Sequence, residues 1–568
     1  MKFLNVEIPV KNLPELDQGF VPLGLFFKYH QLAATKPLCI AVERSGGQIG
    51  TWECKVCGTP EMAEADAYYV DRMVKFLLWS WGGFKVYICG DDALARQIQK
   101  AYTATGTRAF DKDFMENVYE REFQVISLPY ESRPTAFQKS ESVGRHTNGA
   151  RIGFDAGGSD RKVSAVIDGE TIYSEEVVWY PKVNPNPDYH YLGILAACAT
   201  AAAKIMEKGR KVDGIGVSSA GVYIDNKCMV ASLFLKVNKS DFEKKVKNIY
   251  TRVAEDLSRM LGYEIPVVVA NDGDVSALAG AMGLGENGIM GIAMGTSEAV
   301  GYVDGEGNIC GWLNELAFAP VDGQPDAMED EWSGDIGCGV KYFSQDGVNK
   351  LAPRAGIELD ETEPPAKRLK VVQELMAADD ERAAAVYRSI GVYLGHTMGL
   401  YAQFYDIHHV QMMGRVMSGK GGDIILAEAA RVMDEEYPDV AFRGSRRDDP
   451  PRGPELRGRQ PAGSEISPGC NKSELFPRLR AGDFFVPQIG EIWYTVWRGG
   501  GNREHRHPSK KQDPAAAGAL HPAHRGAADV CGHPKLAALS AERLGGLPVL
   551  FHRGQKHGLG SGALPGCV

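Results

Sequence analysis

Apolar and polar residues are patterned differently in three stretches of this chain. In the first 148 residues, the runs Cys39–Glu43 and Thr51–Val56 flank SGGQIG, which predicts a hairpin. A helix follows, roughly Glu61–Trp79, then a β-rich run at Phe84–Cys89. A second helix lies near Asp91–Ala101, and Phe123–Leu128 is a further strand. The polar segment Glu131–Gly149 reads as a linker. Residues 150–442 then run strand, hairpin, strand, helix, strand, helix, strand, glycine-rich hairpin and helices. That alternation predicts α/β layers. The last helix is amphipathic, with Ile425, Ala429 and Met433 on one face.

From about Arg443 the texture breaks. Arg, Pro, Gly and His dominate, and seven of the 13 histidines fall there. One reading is a disordered tail. The favoured reading is a translated wrong frame starting near Phe442, because the break follows directly on a good helix. Restoring the frame in the coding DNA should then yield an Ala-rich closing helix. No metal site is expected in the histidine cluster.

Composition narrows the function classes. With 568 residues, 44% hydrophobic and 24% charged, the chain can bury several sizeable cores. A net charge of −10 argues against a general nucleic-acid binder, which needs a basic face to neutralise phosphates. No apolar run reaches membrane-span length, and the N-terminus lacks the pattern of a secretory signal, so a cytoplasmic location is expected. The 11 cysteines are scattered, which suits reduced, buried thiols. Cys54 and Cys57 form a CxxC pair at a strand end rather than a helix start, so they read as structural rather than as a redox pair or half a zinc site.

Four motifs carry chemistry. In RIGFDAGGSDRKVSAVIDGE (151–170), a strand ends at Asp155, and Gly157 and Gly158 permit a tight turn whose amides can approach phosphate oxygens. Ser159 adds a hydroxyl and Lys162 a charge. A carboxylate beside such a cradle suits Mg²⁺, directly or through water. The second motif, VDGIGVSSAGVYID (212–225), is a buried strand ending in small residues. In IPVVVANDGDVSALAGAMGLG (265–285), a β-branched strand ends at Asn271-Asp272 before a small-residue helix. An acid at that point can serve as general base or as helix cap. The fourth, GIAMGTSEAVGYVDGEGNICGW (291–312), repeats the first, with Gly295, Thr296 and Ser297 as a second phosphate turn. The repetition suggests a duplicated fold with nucleotide between two lobes.

The order and spacing of these motifs resemble the actin–hexokinase–Hsp70 superfamily, and within it the ROK family (repressor, open reading frame, kinase). Asn271-Asp272, LNELAFAPVD (313–322) and HHVQMMGRVMSGKGGDIIL (408–426) carry the closer likeness. The resemblance implies a two-lobed actin-like, ribonuclease H-like α/β fold. Its first lobe would span 150–270 and its second 271–442, with an extra N-terminal α/β domain over 1–148 and an irregular tail over 443–568. It implies ATP and Mg²⁺ as cofactors and a small-molecule sugar as partner, with no membrane or nucleic acid. Asp272 would be the base on a sugar hydroxyl, and Asn271 and Glu315 would hold sugar hydroxyls. Asp155 would attend Mg²⁺ and phosphate, Thr296 the transferred phosphate, and Gly414 and Gly419 the adenosine. A catalytically silent sugar or nucleotide sensor is the alternative. A cap over the sugar cleft or a homodimer contact would suit the N-terminal domain, which lacks the winged-helix pattern of the family's repressors.

Departures from the family pattern shape the expectation. The family's histidine falls on Phe318, and its closing sugar-binding Glu on Val340. Its cysteine-rich pattern falls on Glu331, Ser333, Gly334, Gly337, Cys338 and Val340, leaving one thiol of three, so no zinc is expected. Glu298, Ala299 and Val300 stand where the second phosphate turn is mostly glycine in the family. The pocket so implied is less polar, and suits a deoxy, acylated or aryl-bearing sugar better than glucose.

Overall fold

The computed structural model describes residues 1–140, 148–438, 440 and 484–485. The break near Phe442 and the histidine cluster lie outside the described residues. The main elements are, in order, α1 (Leu23–Ala33), β1 (Lys36–Arg44), β2 (Gln48–Val56), α2 (Ala63–Trp81), β3 (Lys85–Cys89), α3 (Asp92–Ala101), α4 (Ala109–Tyr119) and β4 (Gln124–Leu128). Next come β5 (Ala150–Ala156), β6 (Asp160–Ile167), β7 (Glu170–Val178), α5 (Pro187–Glu207), β8 (Gly214–Ser219), β9 (Gly221–Ile224), β10 (Lys227–Ala231), α6 (Ile249–Leu261), β11 (Val267–Asn271) and α7 (Asp272–Leu284). The chain continues through β12 (Ile289–Met294), β13 (Glu298–Val303), α8 (Pro365–Ala377), α9 (Glu381–Tyr401), β14 (His409–Met413), α10 (Lys420–Glu436) and the two-residue β15 (Phe484–Phe485).

The protein is mixed α/β. The early strands form a sheet in the order β2-β1-β3-β4, with SGGQIG turning the β1–β2 hairpin as the sequence predicts. The middle strands form a five-stranded sheet, β11-β8-β5-β6-β7. Its β5, β8 and β11 run parallel, while β6 and β7 fold back antiparallel. A third sheet has the order β13-β12-β14-β15, with β12 and β14 parallel. Strands β9 and β10 pair as a separate antiparallel ribbon.

Two main apolar cores result. One lies over the five-stranded sheet and is built from residues between Ala150 and Val269. The other is continuous from the early segment (Val6 to Phe123) into the late one (Met290 to Tyr437), and also takes in Val222 of β9. Polar contacts bind the same two segments. The backbone N–H groups of Lys11 and Asn12 donate to Glu436 Oε1 at 2.6 and 2.7 Å. His396 Nε2 meets the Asn12 carbonyl at 2.8 Å, and Lys350 pairs with Asp17 at 2.8 Å. Such buried polar groups are costly unless matched in this way.

Small residues set the close packing of α7. A Cβ at Gly273 would sit 2.9 Å from the Val300 carbonyl, and one at Gly301 would collide with the Gly273 carbonyl. The helix therefore lies directly on β13, which fixes the direction of its first turn. Among the described residues no helix is long and apolar enough to cross a membrane.

Candidate functional site

Three parallel strands end side by side and define the site. In register, Asp155 of β5 lies opposite Ser218 of β8, and Ser219 opposite Asn271 of β11. Carboxyl ends of parallel strands are where open α/β sheets present polar groups to ligands. The Asp155 pKa is raised by burial; the nearby Ser218 hydroxyl, which does not meet it in hydrogen-bond geometry, and the charge of Lys162 oppose that rise. The negative charge of Asp272 pushes it up further. Two carboxylates from different motifs thus sense each other.

The cap of α7 decides what Asp272 is free to do. Asn271 Oδ1 accepts the Gly273 N–H at 2.7 Å, and Asn271 Nδ2 donates to the Gly221 carbonyl at 2.7 Å. Asn271 is therefore the helix cap and ties β11 to β9. Asp272, the first residue of the helix, is left with only a 3.1 Å contact to the Gly273 N–H. It stays accessible to solvent, yet burial raises its pKa. An accessible group in dense protein surroundings marks a cleft.

More acids line the same place. Burial and the charges of Asp272 and Asp274 push Glu315 up to about 7. Asp274 is itself raised to about 7 by burial, and accepts from the Tyr302 N–H at 3.2 Å and Asn314 Nδ2 at 3.1 Å. That makes Asp274 a structural acid tying α7 to β13 and to the 313–315 segment. Glu298 is fully buried and raised to about 8 by burial. The nearby Tyr401 hydroxyl opposes that rise, but the two groups do not meet in hydrogen-bond geometry.

The two turns are held in different ways. The Gly157 carbonyl accepts Trp179 Nε1 at 2.8 Å, and Ser159 Oγ donates to Asp160 Oδ2 at 3.0 Å. Lys162 points to Asp160 at 3.3 Å. In the other turn, the Gly295 N–H donates to the Ser297 carbonyl at 3.0 Å, and Thr296 and Ser297 are exposed. Gly414, at φ 97°, packs on the strand leading into this turn, since a Cβ there would collide with the Met294 carbonyl. Gly419 begins α10 beside a cavity of about 200 Å³ lined by Gln373, Met376, Tyr387 and Lys420.

Sequence reasoning missed one cation. Lys182, in the loop between β7 and α5, is exposed and carries its Cε within 3.3 Å of where a Gly158 Cβ would stand. Its charge also favours the ionised form of Asp272. No motif surrounds Lys182; only the return of the loop over the first turn reveals it.

The residues in place of the family's cysteine pattern are held by charge. Asp335 receives Arg72 at 2.6 Å, Lys75 at 2.9 Å and Arg108 at 2.7 Å. Lys341 pairs with Glu331 at 2.5 Å and with Asp346 at 2.8 Å. Elsewhere, His30, Cys57 and Asp66 bring three potential ligand atoms within 4.8 Å of one another. The Gln31 side chain is fixed at both ends by Lys55, accepting its N–H at 2.8 Å and donating to its carbonyl at 2.7 Å. Gln31 Nε2 therefore donates to His30 Nδ1, which leaves the ring proton on Nε2, donated to Asp66 at 2.8 Å. A metal on Nε2 would displace that proton, so the cluster is a satisfied hydrogen-bond network.

No family model matches this chain, and no curated protein does. Solved structures do. A ROK hexokinase from Thermus thermophilus is 18% identical, with 50% of this chain and 89% of that one covered and a TM-score of 0.39. A ROK family glucokinase from Streptomyces griseus, solved with glucose and AMPPNP, is 20% identical over 52% of this chain and 92% of that one, with a TM-score of 0.36. A ROK family transcriptional regulator, a homolog of the E. coli MLC protein, is 16% identical over 54% and 74%, with a TM-score of 0.38. Each of the three is a ROK protein.

Proposed function

We propose that the protein is an ATP-dependent kinase of a sugar or sugar derivative, with Asp272 as general base. The observation that carries this reading is an accessible Asp272 at the end of β11, coupled to Asp155 on one side and Glu315 on the other. Burial raises the basicity of Asp272, which suits proton removal from a hydroxyl near neutral pH. As the hydroxyl oxygen bonds to the terminal phosphorus of ATP, its proton passes to Asp272 and the bond to the ADP oxygen breaks. Glu315, with a pKa near neutrality, is able to accept from or donate to a neighbouring sugar hydroxyl.

The mutual repulsion of Asp155 and Asp272 is the kind of charge excess that a hard cation relieves, and both offer oxygen ligands. Asp155 would hold Mg²⁺, directly or through water, and the ion would neutralise charge on the transferring phosphate. The Gly157–Ser159 and Gly295–Ser297 turns would meet the phosphates, with adenosine between Gly414 and Gly419. Phosphoryl transfer asks chiefly for positioning and charge neutralisation, and this set supplies both.

A sugar-panel assay of ADP release, comparing the wild type with Asp272→Asn, tests the reading. Sugar-dependent release should fall by about 10²–10⁴-fold in the variant. Undiminished release removes Asp272 from the mechanism. The silent-sensor reading has one observation in its favour, the bulk of Glu298, Ala299 and Val300 after the second turn. It predicts sugar or nucleotide binding with no turnover in either protein.

A further inference from the structure

Four aromatic rings meet beside Glu315, and they come from two distant parts of the chain. Trp79 lies in the last turn of α2, Phe110 and Phe114 lie on α4, and Phe318 closes the turn that starts at Glu315. The Phe318 ring centroid is 4.5 Å from that of Trp79 and 5.7 Å from that of Phe110, and Phe114 lies 4.7 Å from Trp79. Trp79 is fully buried, whereas Phe110, Phe114 and Phe318 are each only half-buried.

This wall is continuous with the cleft. The Phe318 N–H donates to the Glu315 carbonyl at 3.2 Å, and the Glu315 N–H donates to the Trp79 carbonyl at 3.0 Å. Helix α4 also packs against the β9–β10 ribbon, whose Gly221 accepts from Asn271 beside Asp272. The backbone that carries the Glu315 carboxylate is therefore tied directly to the backbone that carries the Trp79 and Phe318 rings. A hexose alone offers little to such a surface, whereas an apolar substituent on it would cover ring faces that are otherwise open.

We infer that Phe110, Phe114 and Phe318, backed by Trp79, form a subsite for an acyl or aryl substituent carried by the sugar. This deepens the kinase reading and rests on it. Residues of the first 148, together with Phe318, would then select the substrate, while Asp272 and Asp155 act on it.

The test is calorimetric titration of the full chain with matched pairs, each a free hexose and its phenyl glycoside. One aromatic contact with its buried area corresponds to about tenfold in Kd. The wild type should favour the phenyl glycoside by about tenfold or more. Phe114→Ala and Phe318→Leu should each cut that preference to about threefold or less, with circular dichroism showing that both variants remain folded. Asp272→Asn should keep the preference, so loss of catalysis and loss of the subsite are read separately. Free-hexose binding without any preference, or a preference that survives both Phe variants, overturns the subsite alone. Binding of no hexose in either form overturns the subsite and the kinase reading together.

Discussion

The backbone N–H of Glu315 donates to the carbonyl of Trp79 at 3.0 Å. The neighbouring N–H groups of Asn314 and Leu313 donate to Ser80 and Trp81 in the same way. The last carbonyls of α2, which no helical N–H can reach, are thus satisfied by the segment that carries the candidate substrate carboxylate. The position of Glu315 is set by a helix that begins 252 residues earlier.

Asp335 anchors this arrangement from the other side. Burial alone would raise its pKa, but Lys75, Arg72 and Arg108 together hold it far below the usual carboxylate range. Removing Asp335 leaves three buried cations to share only Asp71 and Asp111. Asp335→Asn should therefore destabilise the protein by about 3–5 kcal/mol, measured by urea unfolding.

Lys182 favours ionised Asp272 and overhangs the first turn. Lys182→Met should lower kcat/KM for the sugar by about 10²-fold, the cost of one lost charge-stabilising group. It should also raise the Asp272 pKa, so the acid limb of the pH–rate profile should move to higher pH. A loop residue of purely structural importance would shift neither limb.

Glu298 makes stability depend on pH. Its folded-state value of about 8 exceeds the unfolded carboxyl value of about 4.3. The native state therefore binds more protons than the unfolded state between those values, so stability falls as pH rises through that window and levels off above it. The slope from this one group reaches about 1.4 kcal/mol per pH unit. Glu298→Gln should flatten the fall in thermal midpoint between pH 5 and about 8. An unchanged slope would show that another group titrates.

Gly414 adopts φ 97°, and a Cβ there would collide with the Met294 carbonyl. Gly414→Ala must displace the end of β12 and with it the Gly295–Ser297 turn. ATP affinity should fall more than hexose affinity, with about 1–3 kcal/mol of stability lost. Paired titrations with each ligand check the difference.

Much of this was readable from residues whose chemistry is local. An apolar run announces β5 and a β-branched run β11, each with a polar residue near its end. The β1–β2 hairpin follows from SGGQIG, and the buried face of α10 from Ile425, Ala429 and Met433. Helices α1 and α4 were not legible. In α4 the sequence AFDKDFMENVY has a weak apolar period, and Phe110 and Phe114 pack on rings 31 and more residues away. The same holds for Asp335, whose three cations stand at 72, 75 and 108. Asn271 shows a subtler limit. The sequence does not reveal that both ends of its amide are engaged by the backbone.

The core shared by residues 6–123 and 290–437 has a consequence for synthesis. Val6, Phe20 and Leu23 emerge from the ribosome early, yet part of their surroundings is encoded some three hundred codons later. At roughly 5–20 residues per second, that interval lasts on the order of 15–60 s. Over that time the early segment presents an unfinished apolar face, while the five-stranded sheet between the two halves can close on its own local core. A nascent chain stalled near residue 280 should therefore engage chaperones through its first hundred residues, and release them once α9 and α10 have been made.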